Sequence, residues 1–152
     1  MRVLSIDPGT RNLGWCVWDT MANTVVDFGV VDLQKVCKGT DYPKKIWALT
    51  QTDFFNSADV ILVERQMQSR MKMLACAIRC FYWDKTIMIA PQSVRRHFKT
   101  MMKKHSSNKK AHVAHARKFL QGTLLHKFEQ HKKKDDISDA IMQVLYYKSS
   151  SE

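Results

Sequence analysis

Asp7 closes an apolar run of Val3, Leu4 and Ile6 that reads as a buried strand, and Pro8 and Gly9 break that run at once. Glu64 stands in the same place after Val60, Ile61, Leu62 and Val63. A third acidic group, Asp135, Asp136 and Asp139, opens an apolar-periodic stretch near the C-terminus, where Asp136 and Asp139 are i,i+3 and share a helix face. A carboxylate at the end of a buried strand is costly unless it is paired, hydrogen-bonded or bound to a metal. Oxygen donors brought together from three elements suit Mg²⁺ or Mn²⁺. Two such ions about 3.5–4 Å apart can activate a water and stabilise the leaving oxygen of a phosphodiester. Carboxylates alone would repel the phosphate; bound cations reverse the sign of the site. Each acid also has a plainer role open to it. Asp135, Asp136 and Ser138 can cap a helix, Glu64 can pair with Arg65, and Asp7 can form an Asx turn.

The charge of the chain agrees with a polyanionic substrate. Its 152 residues carry a formal net charge of +11, and residues 91–134 hold thirteen of the 25 Lys and Arg with one acid, Glu129. A solvated, solubilising surface mixes its signs, whereas a one-sign segment binds phosphate backbones in a salt-dependent way. No run approaches the ~18 apolar residues of a membrane span, and the N-terminus lacks the basic-then-apolar layout of a signal peptide. An intracellular setting with no membrane partner is expected. Cys16, Cys37, Cys76 and Cys80 form no CxxC pair and are expected to be reduced, packing thiols. His112 and His115 are close enough in sequence to share a helix face, but no third ligand at zinc-like spacing accompanies them.

These groups need a scaffold. Residues 2–7, 13–19 and 24–33 alternate as strands joined by short Gly- or Asn-containing turns, which predicts antiparallel hairpins. A helix is predicted over 42–56, a strand over 59–64, a long helix over 67–83 and a short strand over 86–90. Helices over 92–103 and 109–121, separated by a basic loop at 104–108, and a last helix over 136–147 complete the pattern. The fold class is therefore α/β, with a mixed five-stranded sheet and helices on both faces. One domain over 1–148 and a disordered tail over 149–152 are expected. Asp7 and Glu64 would end parallel neighbouring strands and leave the sheet at one edge.

Asp7-Pro8-Gly9-Thr10-Arg11-Asn12-Leu13-Gly14-Trp15 resembles the opening DPGxxxxGW/Y signature of RuvC-type Holliday junction resolvases. Val63-Glu64-Arg65-Gln66 resembles the second acidic motif of that family, and Asp135-Asp136-Ile137-Ser138-Asp139-Ala140 resembles its closing DxxDA helix. The three occur in the family's order and span nearly the whole chain. The short length, the Glu64-Arg65-Gln66 form and the basic run before Asp135 look most like the poxvirus branch. The resemblance implies a ribonuclease H-like fold and an endonuclease that resolves four-way DNA junctions by paired symmetric nicks. It further implies 5′-phosphate and 3′-hydroxyl ends, a homodimer, two Mg²⁺ per site with Mn²⁺ able to substitute, and work on viral DNA in the host cytoplasm, with the virion as a further location.

By motif, Asp7, Glu64, Asp136 and Asp139 would be the metal ligands, Asp136 being preferred to Asp135 because the motif needs a separation of three. In the family a lysine before the penultimate helix approaches the scissile phosphate; Lys110 matches best and Lys109 nearly as well. Further DNA contacts are expected from Arg11, Arg65, Met67 and Lys72, from Arg95, Arg96, Lys99, Lys103 and Lys104, and from Lys109, Lys110, Lys132 and Lys133. Met67 occupies the position where bacterial relatives carry an aromatic that helps to open the junction. An apolar wedge is still available, but cleavage is expected to follow junction shape rather than base sequence. Two other classes stay open on the sequence: a ribonuclease H-like nuclease for RNA in hybrids or structured RNA, and a basic DNA-binding protein whose acids are only caps.

Overall fold

The computed structural model describes residues 1–100 and 105–151, the side chains of 105–107 and 151 apart. Its sheet has five strands: β1 (Arg2–Pro8), β2 (Asn12–Asp19), β3 (Thr24–Asp32), β4 (Val60–Glu64) and β5 (Thr86–Ile89), in the order β3-β2-β1-β4-β5. The β1–β2 and β2–β3 pairs are antiparallel; β1–β4 and β4–β5 are parallel. The mixed sheet expected from the turn spacings is thus present. The helices are α1 (Leu33–Val36), α2 (Tyr42–Thr50), α3 (Asp53–Asn56), α4 (Ser69–Phe81), α5 (Pro91–His97), α6 (His105–Arg117), α7 (Gly122–Gln130) and α8 (Lys134–Ser151).

Side-chain alternation along the strands sorts the apolar residues into two cores. Leu4, Ile6, Ile61 and Val63 face α2, α3 and α4, where Ile46, Leu49, Phe55, Leu74 and Ile78 meet them. Val3 and Leu62 face the other way, onto Ile137, Ala140, Ile141 and Val144 of α8, with Val94, Ala116 and Phe128 behind. The same two-residue period carries Val3 to Ser5 to Asp7, and Leu62 to Glu64. Ile6 is in register with Val63 across the parallel pair. Asp7 and Glu64 therefore leave the sheet side by side, on the face that α8 covers.

Four helix expectations are corrected. The helix predicted over 42–56 is two helices, because Thr50 Oγ1 donates to Trp47 O (2.7 Å) and Thr52 Oγ1 to Leu49 O (2.5 Å), ending α2 before α3 begins. The helix predicted from 92 ends at His97; Lys99, at φ 54°, adopts the left-handed conformation that terminates helices, and Thr100 N–H returns to Arg95 O (2.9 Å). The part of the predicted basic loop that is described is helical from His105 onward, so α6 starts and stops about four residues early. Of the tail expected to be disordered over 149–152, the described part continues α8 through Ser151, with the Ser149 and Ser150 hydroxyls donating to Tyr146 O (2.8 and 2.9 Å), and Glu152 lies outside the described residues. In addition α7, between the expected elements, was not anticipated; it buries Phe128 against Phe28 in an edge-to-face contact with centroids 6.0 Å apart.

Candidate active site

Beyond the ends of β1 and β4 lies a cleft of about 430 Å³. Its floor and walls are polar: Asp7, Glu64, Asp136 and Asp139 together, with Gln66, Arg95, Lys109, His112, Lys133 and Asp135 around them and the turn 9–12 at the rim. The four acids read from the sequence thus meet in one place. Asp7 and Glu64 are delivered by adjacent strand ends, and Asp136 and Asp139 by the first turns of α8. The turn itself is tight. Gly9 N–H donates to Asp7 O (3.1 Å), and a Cβ on Gly9 would stand 2.2 Å from Asn12 O, so only glycine closes it.

The electrostatics are those of a crowded anionic site. Asp7 is raised well above the ordinary carboxylate range, first by burial and then by the charges of Glu64, Asp139 and Asp136. Glu64 is raised to about 7, first by burial and then by Asp139, with Arg95 and a hydrogen bond from Gln66 opposing. Asp136 is raised to about 6 by burial and by Asp135. Gln66 Nε2 donates to Glu64 Oε1 (3.1 Å) and, at 3.5 Å, to Asp7 Oδ1. His112 Nδ1 lies 2.5 Å from Asp139 Oδ1. As the side chains lie, no three His, Cys, Asp or Glu among the described residues are grouped tightly enough to hold a metal ion. The donor set nonetheless suits a hard divalent cation. Three half-buried carboxylates have their pKa values held up first by desolvation and then by neighbouring acids, and a cation relieves both.

Asp135 has a partner the sequence did not indicate, and of the two candidate lysines it is Lys109 that lines the cleft. Asp135 is expected to act chiefly as a helix cap; its carboxylate meets the backbone N–H groups of Asp135 and Asp136, and its Oδ2 also accepts from Lys109 Nζ at 2.5 Å. Burial pushes Asp135 up, but the Lys109 ammonium and the nearby backbone N–H groups together hold the acid below its ordinary value, and Lys109 is raised in turn by the same hydrogen bond. Lys109 reaches the carboxylate cleft. Lys110, the preferred match by motif, opens instead onto an adjoining basic groove with Arg117, Lys132 and Lys134.

The other expected contacts divide by position. Arg95 and Lys133 line the cleft, whereas Arg96 and Lys99 are exposed beside it on α5 and just after it. Arg11 is exposed at the rim, with Nη2 3.8 Å from Asp32 Oδ2. Arg65 and Lys72 line a separate groove with Arg79, and Met67, 81 % exposed, stands free in the turn between β4 and α4. Lys103 and Lys104 lie outside the described residues. His112 and His115 do not come together as ligands: His112 enters the cleft, while His115 lies against the Phe98 ring, with centroids 5.9 Å apart. The sequence reading passed over Gln66 and Thr100, and weighed His112 only as a zinc ligand. For Gln66 a signal existed, since two residues beyond Glu64 in an extended chain lies on the same face.

The family described as Poxvirus A22 protein matches residues 1–149. No curated protein sequence matches the chain. Among solved structures, the fowlpox virus resolvase in complex with substrate Holliday junction DNA is similar, with a TM-score of 0.75 at 18 % identity over 99 % of each chain. A crystal structure of the fowlpox virus Holliday junction resolvase gives 0.75 at 17 % identity over 100 % of each chain. Thermus thermophilus RuvC gives 0.57 at 14 % identity, over 99 % of this chain and 97 % of that one. At these identities the likeness is one of fold, and the fold is the ribonuclease H-like one that the motif order implied.

Proposed function

The chain belongs to the Poxvirus A22 protein family, and from that premise we propose that it is a structure-selective endonuclease that resolves four-way DNA junctions. The single observation that carries the reading is the cleft in which Asp7, Glu64, Asp136 and Asp139 meet beneath Arg95, Lys109 and Lys133. Similarity to the fowlpox virus resolvase bound to Holliday junction DNA supports the substrate class. The four carboxylates are the residues that would hold divalent cations, two Mg²⁺ in our reading, with Mn²⁺ as a substitute. Such ions supply Lewis acidity toward a phosphodiester and lower the pKa of water.

The chain's own residues do the rest. Gln66 donates to both strand-end acids and fixes their rotamers. Arg95, close enough to Glu64 to draw its pKa down, is placed to hold a phosphate over the strand ends. Lys109, parked on Asp135, has its ammonium at the wall of the cleft, where it would stabilise charge developing on a phosphorane. Two symmetric nicks across one junction require two sites related by a two-fold axis, so the functional unit is a homodimer. Products would carry 5′-phosphate and 3′-hydroxyl ends, and the setting would be replicating viral DNA in the cytoplasm of the infected cell.

The test is cleavage of a synthetic four-way junction, with and without Mg²⁺, beside a linear duplex and an RNA–DNA hybrid of equal length. Mg²⁺-dependent paired nicks in the junction alone are expected. Preferential cutting of the hybrid would replace the junction reading with a ribonuclease one, and the absence of any cutting by folded protein would remove the enzyme reading.

A further inference from the structure

Behind the carboxylates, hydrogen bonds link α6 and α8 to the chain just after α5. His112 of α6 is 5 % exposed and Thr100, two residues beyond the C-cap of α5, is 2 % exposed. Thr100 Oγ1 lies 3.0 Å from His112 Nε2, and His112 Nδ1 lies 2.5 Å from Asp139 Oδ1 on α8. A buried imidazole needs both ring nitrogens satisfied, and both are. An ionised carboxylate can only accept, so Nδ1 carries a proton and donates it to Asp139. The Thr100 hydroxyl, which can give or take a hydrogen, meets Nε2 on the other side of the ring and also lies 3.4 Å from Arg95 O.

We infer that His112 is a positioning residue for Asp139: it donates Nδ1–H to Oδ1, its ring is braced at Nε2 by Thr100, and Oδ2 is left for a cation. The inference rests on the reading of the acid cluster as a metal site. Without the imidazole, an aspartate on the first turns of a helix is free to rotate about χ1 and χ2, and a ligand with a wandering carboxylate binds metal less well. The same chain ties the metal site to α5, the helix that carries Arg95, so the phosphate-holding wall and the cation-holding floor are fixed by one set of hydrogen bonds.

The experiment is Mn²⁺ binding by calorimetry, with ¹⁵N NMR of the histidine side chains in metal-free protein. Wild type is compared with His112→Ala, His112→Asn and Thr100→Val. Asn places an N–H near the Nδ1 position and should stay close to wild type, whereas Ala should raise the Mn²⁺ dissociation constant about 10–100-fold. Thr100→Val keeps shape but loses the hydroxyl that braces Nε2, and it should raise the Mn²⁺ constant by less than the Ala substitution while Nδ1 stays protonated. An unchanged Mn²⁺ constant in folded His112→Ala, an Nδ1 that carries no proton in wild type, or an Asn variant as weak as the Ala variant would each overturn the inference. Should the Ala variant not fold, the Asn and Val variants and the protonation of Nδ1 in wild type still decide it. Wild-type protein that binds no Mn²⁺ would instead overturn the metal-site reading itself.

Discussion

A Cβ on Gly14 would stand 2.5 Å from the carbonyl oxygen of Asp136 and 3.1 Å from its Cβ. Gly14 is in register with Asp7 across the β1–β2 pair, so a strand carrying one acid makes room for the helix carrying another. The first turn of α8 can lie this close to the sheet only because position 14 has no side chain. Gly14→Ala should therefore push the start of α8 away from Asp7. A packed contact of this kind costs about 1–3 kcal/mol when a methyl is forced into it. The expected result is a folded protein with a lower melting temperature and junction cleavage reduced by more than tenfold. Full activity in Gly14→Ala would mean that α8 can move without disturbing the acids.

The acid cluster fixes the sign of a pH effect. Glu64, at about 7, and Asp136, at about 6, both sit above their ordinary values, and Asp7 is likewise raised well above its own. Raised carboxylates bind protons more tightly in the folded state than in the unfolded one. Their stabilising contribution is complete below the ordinary carboxylate range and is lost as pH rises through about 6 and about 7. Metal-free protein should accordingly melt at a lower temperature at pH 8 than at pH 5, and Glu64→Gln should flatten that slope. Mg²⁺ should raise the melting temperature more at pH 8, where the acids are ionised. Thermal melts at both pH values, with and without Mg²⁺, check this, and an equal Mg²⁺ effect at both would count against cation binding at these carboxylates.

The acids were legible because their positions are set by short-range patterns. Asp7 and Glu64 each end an apolar run, and Asp136 and Asp139 repeat at helical spacing; sheet register and the packing of Ile137 and Ile141 do the rest. The lysine before the penultimate helix was not settled in this way. Lys109 and Lys110 are adjacent, and which of them faces the cleft depends on the rotation of α6, set by burial of Ala116 and His112 rather than by the local run. His112 was opaque for another reason: its partners, Thr100 and Asp139, are 12 and 27 residues away. The Gly122 start of α7, at φ 53°, hid a helix whose Leu124, Leu125 and Phe128 do recur at helical spacing.

Lys109 and Lys110 should separate kinetically. Lys109→Ala removes an ammonium at the cleft wall and should slow cleavage by on the order of 10²–10³ with little change in junction binding. Lys110→Ala removes a cation from the neighbouring groove and should weaken binding and shallow its salt dependence, with cleavage at saturating enzyme preserved. Single-turnover rates and binding isotherms at two salt concentrations tell them apart. The reverse pattern would return the catalytic role to Lys110.

Asp7→Asn, Glu64→Gln, Asp136→Asn and Asp139→Asn should each abolish Mg²⁺-dependent cutting while leaving the junction bound. Labour is divided in the cleft: acids at the strand ends and on α8, cations from α5, α6 and the approach to α8. Removing one negative ligand lowers cation occupancy and also relieves repulsion of the phosphate, so binding in metal-free buffer should hold or tighten. Asp135→Asn is the informative contrast. Asp135 pairs with Lys109 at 2.5 Å, so its loss should free the ammonium rather than empty the metal site. Cleavage by Asp135→Asn should fall far less than in the other four, with Mn²⁺ affinity unchanged. If Asp135→Asn kills cutting and Mn²⁺ binding while Asp136→Asn spares both, the ligand on the first turn of α8 is Asp135. If all four variants still cut junctions with Mg²⁺ as folded proteins, the carboxylates share no metal site.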